Sequence, residues 1–177
     1  LEQDIPAHVN DDQGYFDTVE IHQAMALLKL LDNGHQDVPL IGILRSEIFG
    51  FSPEELAKVR IAYKENGQRG AYYKAFEYCL KNPEALADET LYEKLRQAEE
   101  KLEEWRYLSN KMPLDEYIWY VLTESGYYLY AGAMYGGRQR QANLRILAEK
   151  ARSYQENGVA SLNGFIRYVD ILRKQNV

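Results

Sequence analysis

Two segments of this sequence combine glycine, helix-start signals and basic side chains in a pattern suited to binding phosphate. The first covers residues 44–60 and places Gly50 and Ser52 at the start of a predicted helix, with Arg45 and Lys58 nearby. A helix start exposes backbone N–H groups, and an adjacent glycine allows an anion to approach them. The alternative is a plain connection between two helices, in which the Ser52 side chain and a glutamate three residues later satisfy the same N–H groups.

The second segment, residues 136–145, begins with two consecutive glycines and carries three arginines, Arg138, Arg140 and Arg145. These side chains could form a strip that binds phosphate. They could equally lie on the first turns of a helix and tie neighbouring helices together through ion pairs. Both interpretations stay open on the sequence alone, and they differ in whether the arginine side chains are free.

Patterns that carry catalytic chemistry are missing from the sequence. It contains no phosphate-binding loop of the form G-x-x-x-x-G-K-[ST], no H-E-x-x-H and no G-x-S-x-G. Its histidines, His8, His22 and His35, are scattered, and its single cysteine, Cys79, lies on the apolar face of a predicted helix. We therefore expect no catalytic site, no bound cofactor and no metal site in this chain.

The composition limits the class of protein further. The chain has 177 residues, of which 46% are hydrophobic and 27% charged, as is typical of one soluble globular domain. No apolar run reaches the roughly 18 residues of a membrane span, so we expect no membrane partner. The net charge of −6 argues against non-specific coating of nucleic acid, yet residues 138–174 hold eight bases against three acids. A local basic surface is therefore compatible with the acidic total.

The elements that must position these segments are predicted to be helices. The sequence has 21 leucines but only 8 valines and 3 threonines, which favours helix over strand. Start signals, stop signals and apolar periodicity predict seven to nine helices. They lie between about residues 17 and 34, 39 and 50, 52 and 67, 71 and 81, 89 and 109, 114 and 124, 127 and 133, 138 and 155, and 161 and 172.

Several details of these helices can be tested against the structure. Asp17 and Glu20 have the spacing of a capping box at the first helix, and the pair Asn33-Gly34 suits a left-handed helix end. The helix at 89–109 carries a leucine stripe that includes Trp105, and we expect this stripe to pack against the apolar face of the helix at 138–155.

No pair of strands is predicted, so the expected fold is an all-α compact bundle. Residues 1–13 are polar and are expected to form a loop or the end of a strand that belongs elsewhere, whereas residues 14–177 are expected to form one helical domain. The chain begins with Leu-Glu-Gln rather than Met, which suggests a piece of a longer protein.

A wider pattern of residues links the two segments to a known family. It consists of Gly14-Tyr15-Phe16, Leu27-Leu28, Leu31-Asp32-Asn33, Asp37-Val38-Pro39-Leu40, Leu44-Arg45-Ser46, Gly50, Glu55-Leu56, Arg60, Gly136-Gly137 and Arg140-Gln141-Ala142-Asn143-Leu144. In content and spacing these runs resemble the AddA family of the bacterial AddAB helicase–nucleases, which belong to the UvrD-like helicases. The resemblance spans nearly the whole chain.

The resemblance implies a fold and a function. It implies a helical accessory domain, the 2B region, inserted into the second motor domain of an ATP-dependent DNA helicase and exonuclease that acts in double-strand break repair and recombination. ATP, magnesium and all catalysis would then belong to other parts of the parent protein. Residues 1–13 would be the end of a motor-domain strand. The partners would be duplex DNA, the motor domains and AddB or a protein like it, and the location would be the bacterial cytoplasm.

The resemblance also implies a role for the first segment. In related helicases a glycine-rich turn of this domain contacts the duplex backbone, and Gly50 and Ser52 occupy the similar place, flanked by Arg45 and Lys58. The expected contact is weak and independent of sequence. The arginines of residues 138–145 are the rival DNA site. The alternative function is a protein-interaction scaffold of the same complex that makes no contact with DNA.

Overall fold

The computed structural model describes residues 14–156, 158 and 160–175. These residues form nine α-helices and a 3-10 turn at Pro83–Ala85, with no strand among them. The helices are α1 (Val19–Asp32), α2 (Asp37–Arg45), α3 (Pro53–Glu65), α4 (Tyr72–Lys81), α5 (Glu89–Leu108), α6 (Leu114–Glu124), α7 (Tyr127–Ala133), α8 (Gly137–Glu156) and α9 (Leu162–Gln175). The predicted all-α fold is confirmed. The expectations for residues 1–13 lie outside the described residues.

Helix starts that the sequence marks strongly lie where the signals predict. The side chain of Ser52 accepts a hydrogen bond from the Glu55 N–H at the start of α3, with Pro53 as the first helical residue. At α9, the Ser161 hydroxyl accepts from the Gly164 N–H at 3.1 Å. Both are local signals, because the cap and the N–H group that it satisfies lie within three residues of each other.

The predicted capping box at α1 is wrong. The N-cap residue is Thr18, which makes no capping hydrogen bond with its side chain. Asp17 is exposed and lies 3.2 Å from the Arg173 guanidinium, while Glu20 is turned into the interior. Both acids instead form long-range ion pairs, Asp17 with Arg173 and Glu20 with Arg140.

The end of α1 also differs from the prediction. Asn33 has an extended backbone with φ −144°, so the pair Asn33-Gly34 does not form a left-handed cap. Gly34 serves packing instead, since a Cβ at this position would lie 2.9 Å from Nη2 of Arg106. The glycine makes room for an arginine that belongs to a different helix, α5.

Helix α1 lies at the centre of the molecule and packs against α2, α5, α8 and α9. Its apolar side chains are fully buried on nearly every face, among them Ile21, Leu27, Leu28 and Leu30. Helix α3 pairs with α4, and α6 and α7 pack on α8. The α2–α3 turn therefore leads into the pair α3 and α4, whereas the start of α8, the second candidate segment, belongs to the group of α6, α7 and α8.

The predicted stripe of α5 is confirmed, but its predicted partner is not. Leu91, Leu95, Leu102 and Trp105 are buried. Helix α5 packs mainly on α4 and α1, whereas α8 packs chiefly on α6, α7 and α1. Helices α5 and α8 were expected to pack against each other, but each of them packs against α1. None of the described helices is long and apolar enough to cross a bilayer.

Candidate nucleic-acid interface

The turn between α2 and α3 is closed tightly by its own backbone. The Gly50 N–H donates to the Ser46 carbonyl at 2.7 Å, and the Phe51 N–H donates to the Leu44 carbonyl at 2.8 Å. Gly50 has φ +62°, and a Cβ added there would have no heavy atom within 4 Å. Glycine is needed at this position for its left-handed backbone, and the surface around it is open.

The backbone N–H groups at the start of α3 are occupied by the protein itself. The Ser52 N–H donates to Oε2 of Glu55 at 2.8 Å, and the Glu55 N–H donates to Oγ of Ser52 at 3.1 Å. Hydrogen bonds from its own backbone N–H and from the Ser52 side chain lower the pKa of the Glu54 carboxyl. The interpretation with free donors at this helix start is therefore wrong, and the alternative, in which Ser52 and Glu55 satisfy the N–H groups, is confirmed.

The basic side chains around this turn are mostly paired. Nζ of Lys58 lies 2.7 Å from Oδ2 of Asp88, an interaction that raises the pKa of the lysine. Lys94, which sequence reasoning missed, donates to the Gly50 carbonyl at 2.8 Å and to Glu55 at 2.7 Å. No local signal could have found Lys94, because it lies on α5, 44 residues beyond Gly50. Arg45 is exposed at the end of α2.

The two glycines before α8 have separate roles. Gly136 has φ +70° and open space around it, as a chain reversal requires. Gly137 is buried, and a Cβ on it would lie 1.9 Å from the carbonyl oxygen of Gly132 on α7. A side chain at Gly137 is therefore incompatible with the contact between α7 and α8.

Arg140 belongs to a buried polar cluster that joins α1 to α8. Its Nη1 lies 2.7 Å from Oε2 of Glu20, whose side chain is only 5% exposed. Asn143 Nδ2 donates to the other oxygen of that carboxylate at 2.6 Å. Burial acts to raise the pKa of Glu20, but the hydrogen bond from Asn143 and the charge of Arg140 help to bring it below its usual value. Arg140 thus links α8 to α1 through an ion pair, and its charge is not free to bind phosphate.

The other two arginines of this segment differ from Arg140. Arg138 is exposed on the first turn of α8. The Arg145 guanidinium lies 5.5 Å above the ring of Tyr128, at the edge of a cleft of about 330 Å³ between α6 and α8. Three carboxylates line this cleft against two arginines, and Arg152 is already paired with Asp115 at 2.8 Å. The charged side chains that line the cleft therefore have no net positive charge to offer a phosphate.

Cysteine and histidine often carry catalysis, and in the described part of the chain Cys79 and His35 pack against or bond to other side chains of the fold. Cys79 is buried, which raises the pKa of its thiol to about 11 and keeps it protonated. His35 stacks on Tyr73 and lies 3.2 Å from Glu77, while His8 lies outside the described residues. No group of three or more His, Cys, Asp or Glu side chains among the described residues could hold a metal ion.

Comparison with known proteins gives the relatives of this chain. A protein of Clostridium novyi (strain NT), named as the A subunit of an ATP-dependent helicase/nuclease, is 42% identical over 170 residues, which are 96% of this chain and 13% of that protein. The proteins of the same name from Bacillus velezensis and Clostridioides difficile (strain 630) are 40% and 37% identical, over 98% and 99% of this chain. No protein-family model matches the chain.

The chain spans only 13–14% of the length of these relatives. The match nevertheless covers both segments on which the resemblance was based, the α2–α3 turn and the start of α8, because it includes nearly every residue of this chain. The resemblance is therefore confirmed: over almost its whole length, this chain is similar to one segment of AddA proteins, the A subunits of ATP-dependent helicase/nucleases.

Proposed function

We propose that this chain is a non-catalytic accessory domain of an ATP-dependent DNA helicase and nuclease of double-strand break repair and recombination. The observation that carries the proposal is a match over nearly the whole chain to 13–14% of the length of proteins named for both activities. The domain would correspond to the 2B region inserted in the second motor domain, with ATP and magnesium held by other parts of the parent protein. It would act in the bacterial cytoplasm beside an AddB-like partner.

Within that protein, the domain would position duplex DNA without reading its sequence. The α2–α3 turn offers Gly50 and Ser52 at an open surface, with Arg45 exposed beside them. Because the N–H groups of the turn are occupied, contact with phosphate would rest on the side chains of Arg45 and Lys58. Lys58 would have to exchange its carboxylate partner Asp88 for the phosphate.

A second candidate function is docking of another protein, either the motor domains or the AddB-like partner. The observation that favours it is a group of exposed apolar side chains near α7: Val19, Leu129 and Tyr135 are 62%, 72% and 99% exposed. The Arg140 side chain links two of these positions, because it bonds both the Tyr135 carbonyl and the Glu20 carboxylate next to Val19. Exposed apolar side chains of this kind mark protein contacts more often than DNA contacts.

One set of assays tests both candidates. The purified chain should hydrolyse no ATP in the presence of DNA and degrade no DNA, whereas a full-length AddA protein should do both with its partner. Arg45→Gln with Lys58→Gln should weaken duplex binding, and Leu129→Ser with Tyr135→Ser should weaken binding to the rest of the complex. DNA-stimulated ATP hydrolysis by the chain alone would refute the non-catalytic assignment. No duplex binding by the chain, together with weaker binding of Leu129→Ser with Tyr135→Ser to the rest of the complex, would favour the scaffold.

A further inference from the structure

The hairpin formed by the end of α3, the following turn and the start of α4 is strongly basic. We call residues 60–74 the α3–α4 hairpin. It carries four bases, Arg60, Lys64, Arg69 and Lys74, against one acid, Glu65, in a chain whose net charge is −6. Every residue from 64 to 70 is exposed. The local charge of this surface is therefore opposite to that of the whole domain.

The backbone of this hairpin is held rigidly. The Gln68 N–H donates to the Tyr63 carbonyl at 3.1 Å and the Gly67 N–H to the Lys64 carbonyl at 3.0 Å, with Gly67 at φ +76°. These two bonds form a Schellman helix end. The Tyr63 hydroxyl then donates to the Arg69 carbonyl at 2.9 Å. The bases are consequently presented on an ordered frame, which lowers the entropy cost of binding a ligand.

None of the four bases has a carboxylate partner among the described residues. Arg60 donates to the Ala71 carbonyl at 3.3 Å and braces the turn. Lys64, Arg69 and Lys74 make no ion pair in that part of the chain, unlike Lys58 at the other end of α3. The charges of these three side chains are available to an external anion.

Helix electrostatics do not explain these bases. Lys64 lies in the last turn of α3, where a cation is favourable, but Lys74 lies in the first turn of α4, where a cation is unfavourable. The N–H groups of α4 are satisfied by Asp37, which accepts from Tyr72 at 2.7 Å and from Tyr73 at 3.0 Å. Nζ of Lys74 lies 6.0 Å from the centre of the Tyr73 ring, a contact that leaves its charge without a carboxylate partner among the described residues.

We infer that the α3–α4 hairpin binds the phosphate backbone of duplex DNA through Lys64, Arg69 and Lys74. The exposed turn at residues 64–70 is polar and glycine-rich and holds no aromatic side chain of the kind that anchors protein interfaces, whereas phosphate needs only charge and donors. The inference rests on the proposed function and adds a second contact. This contact lies about 18 Å from the α2–α3 turn, by the rise of about 1.5 Å per residue along α3.

The test is a titration of the chain with labelled duplexes of two unrelated sequences, over salt from about 50 to about 200 mM. The hairpin variant carries Lys64→Gln, Arg69→Gln and Lys74→Gln. Its matched control carries Lys81→Gln, Arg167→Gln and Lys174→Gln, which remove the same charge from exposed positions elsewhere. We expect the hairpin variant to bind both duplexes more weakly and to lose about 0.9 in the slope of log K against log salt for each phosphate contact removed.

Each other outcome has a defined meaning, once circular dichroism shows that every variant is folded. Equal weakening by the hairpin variant and its control would show a general charge effect and overturn the inference. Duplex binding that is insensitive to the hairpin variant but lost in Arg45→Gln with Lys58→Gln would also overturn it, while leaving the proposed function intact. No duplex binding by the wild-type chain, together with binding to polyglutamate, would overturn the inference and the DNA-positioning role together.

Discussion

Arg140 joins α8 to α1 through the buried carboxylate of Glu20. Beside Arg138 and Arg145 it fits a phosphate-binding strip, but its charge is used by Glu20, 120 positions earlier in the chain. Nothing in the sequence pairs these two residues. The alternative that arginines tie helices together therefore describes Arg140, whereas Arg138 is exposed and remains available as a rival DNA contact.

The first prediction at this scale concerns that ion pair. Arg140→Met should lower the free energy of unfolding by about 3 kcal/mol, because it leaves the buried carboxylate of Glu20 without its counter-charge. Arg138→Met, two residues away and exposed, should change it by less than about 0.5 kcal/mol. Urea unfolding of the two variants measures the difference. Equal stability of both would show that the pair contributes nothing to the fold.

The same carboxylate predicts a dependence on pH. The pKa of Glu20 is lowered in the folded chain, so its ionised form stabilises the fold above the unfolded pKa of about 4.3. This contribution is lost as the pH falls through the folded value. The stability gap between wild type and Glu20→Gln should therefore be constant near neutral pH and narrow in acid. A gap that stays constant through the acid range would contradict the lowered pKa.

Gly137 provides a prediction about backbone packing. Gly137→Ala should destabilise the chain by about 1–3 kcal/mol or more, because its Cβ would overlap the Gly132 carbonyl on α7. Gly42→Ala is the matched control: it lies inside α2 with nothing near its Cβ, so it should gain about 0.5–1 kcal/mol of helix propensity. Thermal unfolding separates the two, and a neutral Gly137→Ala would mean that α7 moves away at little cost.

At the scale of elements, the sequence was most informative where the signal is local. The start of α3 and the stripe of α5 depend on residues three or four positions apart, and both were predictable. The ends of α1 were not predictable, because they depend on residues of distant helices. Asp17 forms an ion pair with Arg173, and Gly34 leaves room for the side chain of Arg106. The candidate turn and the capping of its donors by Ser52 and Glu55 were also predictable, because both signals are local, whereas Lys94 on α5 was not foreseen.

Helix α5 carries the prediction that belongs to this scale. Trp105 lies on its buried stripe, so Trp105→Ala should cost about 3–5 kcal/mol of stability. Tyr107 lies on the same helix but is exposed, so Tyr107→Ala should cost less than about 0.5 kcal/mol. Chemical denaturation gives both values. Similar losses from the two changes would show that the stripe does not set the orientation of α5.

At the scale of the whole molecule, charge is distributed unevenly in space as well as in sequence. The basic stretch at residues 138–174 loses much of its surplus to pairing, since Arg140, Arg152 and Arg173 each meet a carboxylate. The α3–α4 hairpin holds fewer bases, but none of them meets a carboxylate in the described part of the chain. Counting charges along the sequence therefore does not locate the free bases, because pairing is decided by the fold.

The last prediction concerns the cooperativity of the domain. Helix α1 packs against α2 and α5 and also against α8 and α9, so the two halves of the chain, α1–α5 and α6–α9, share one core. Trp105 reports on α5 and Trp119 on α6. Two single-tryptophan variants, Trp119→Phe and Trp105→Phe, should therefore each lose tryptophan fluorescence and helical circular dichroism at one common urea midpoint, as a two-state domain does. Within either variant, a fluorescence midpoint that differs from the circular dichroism midpoint would show that the halves unfold separately and that α1 does not couple them.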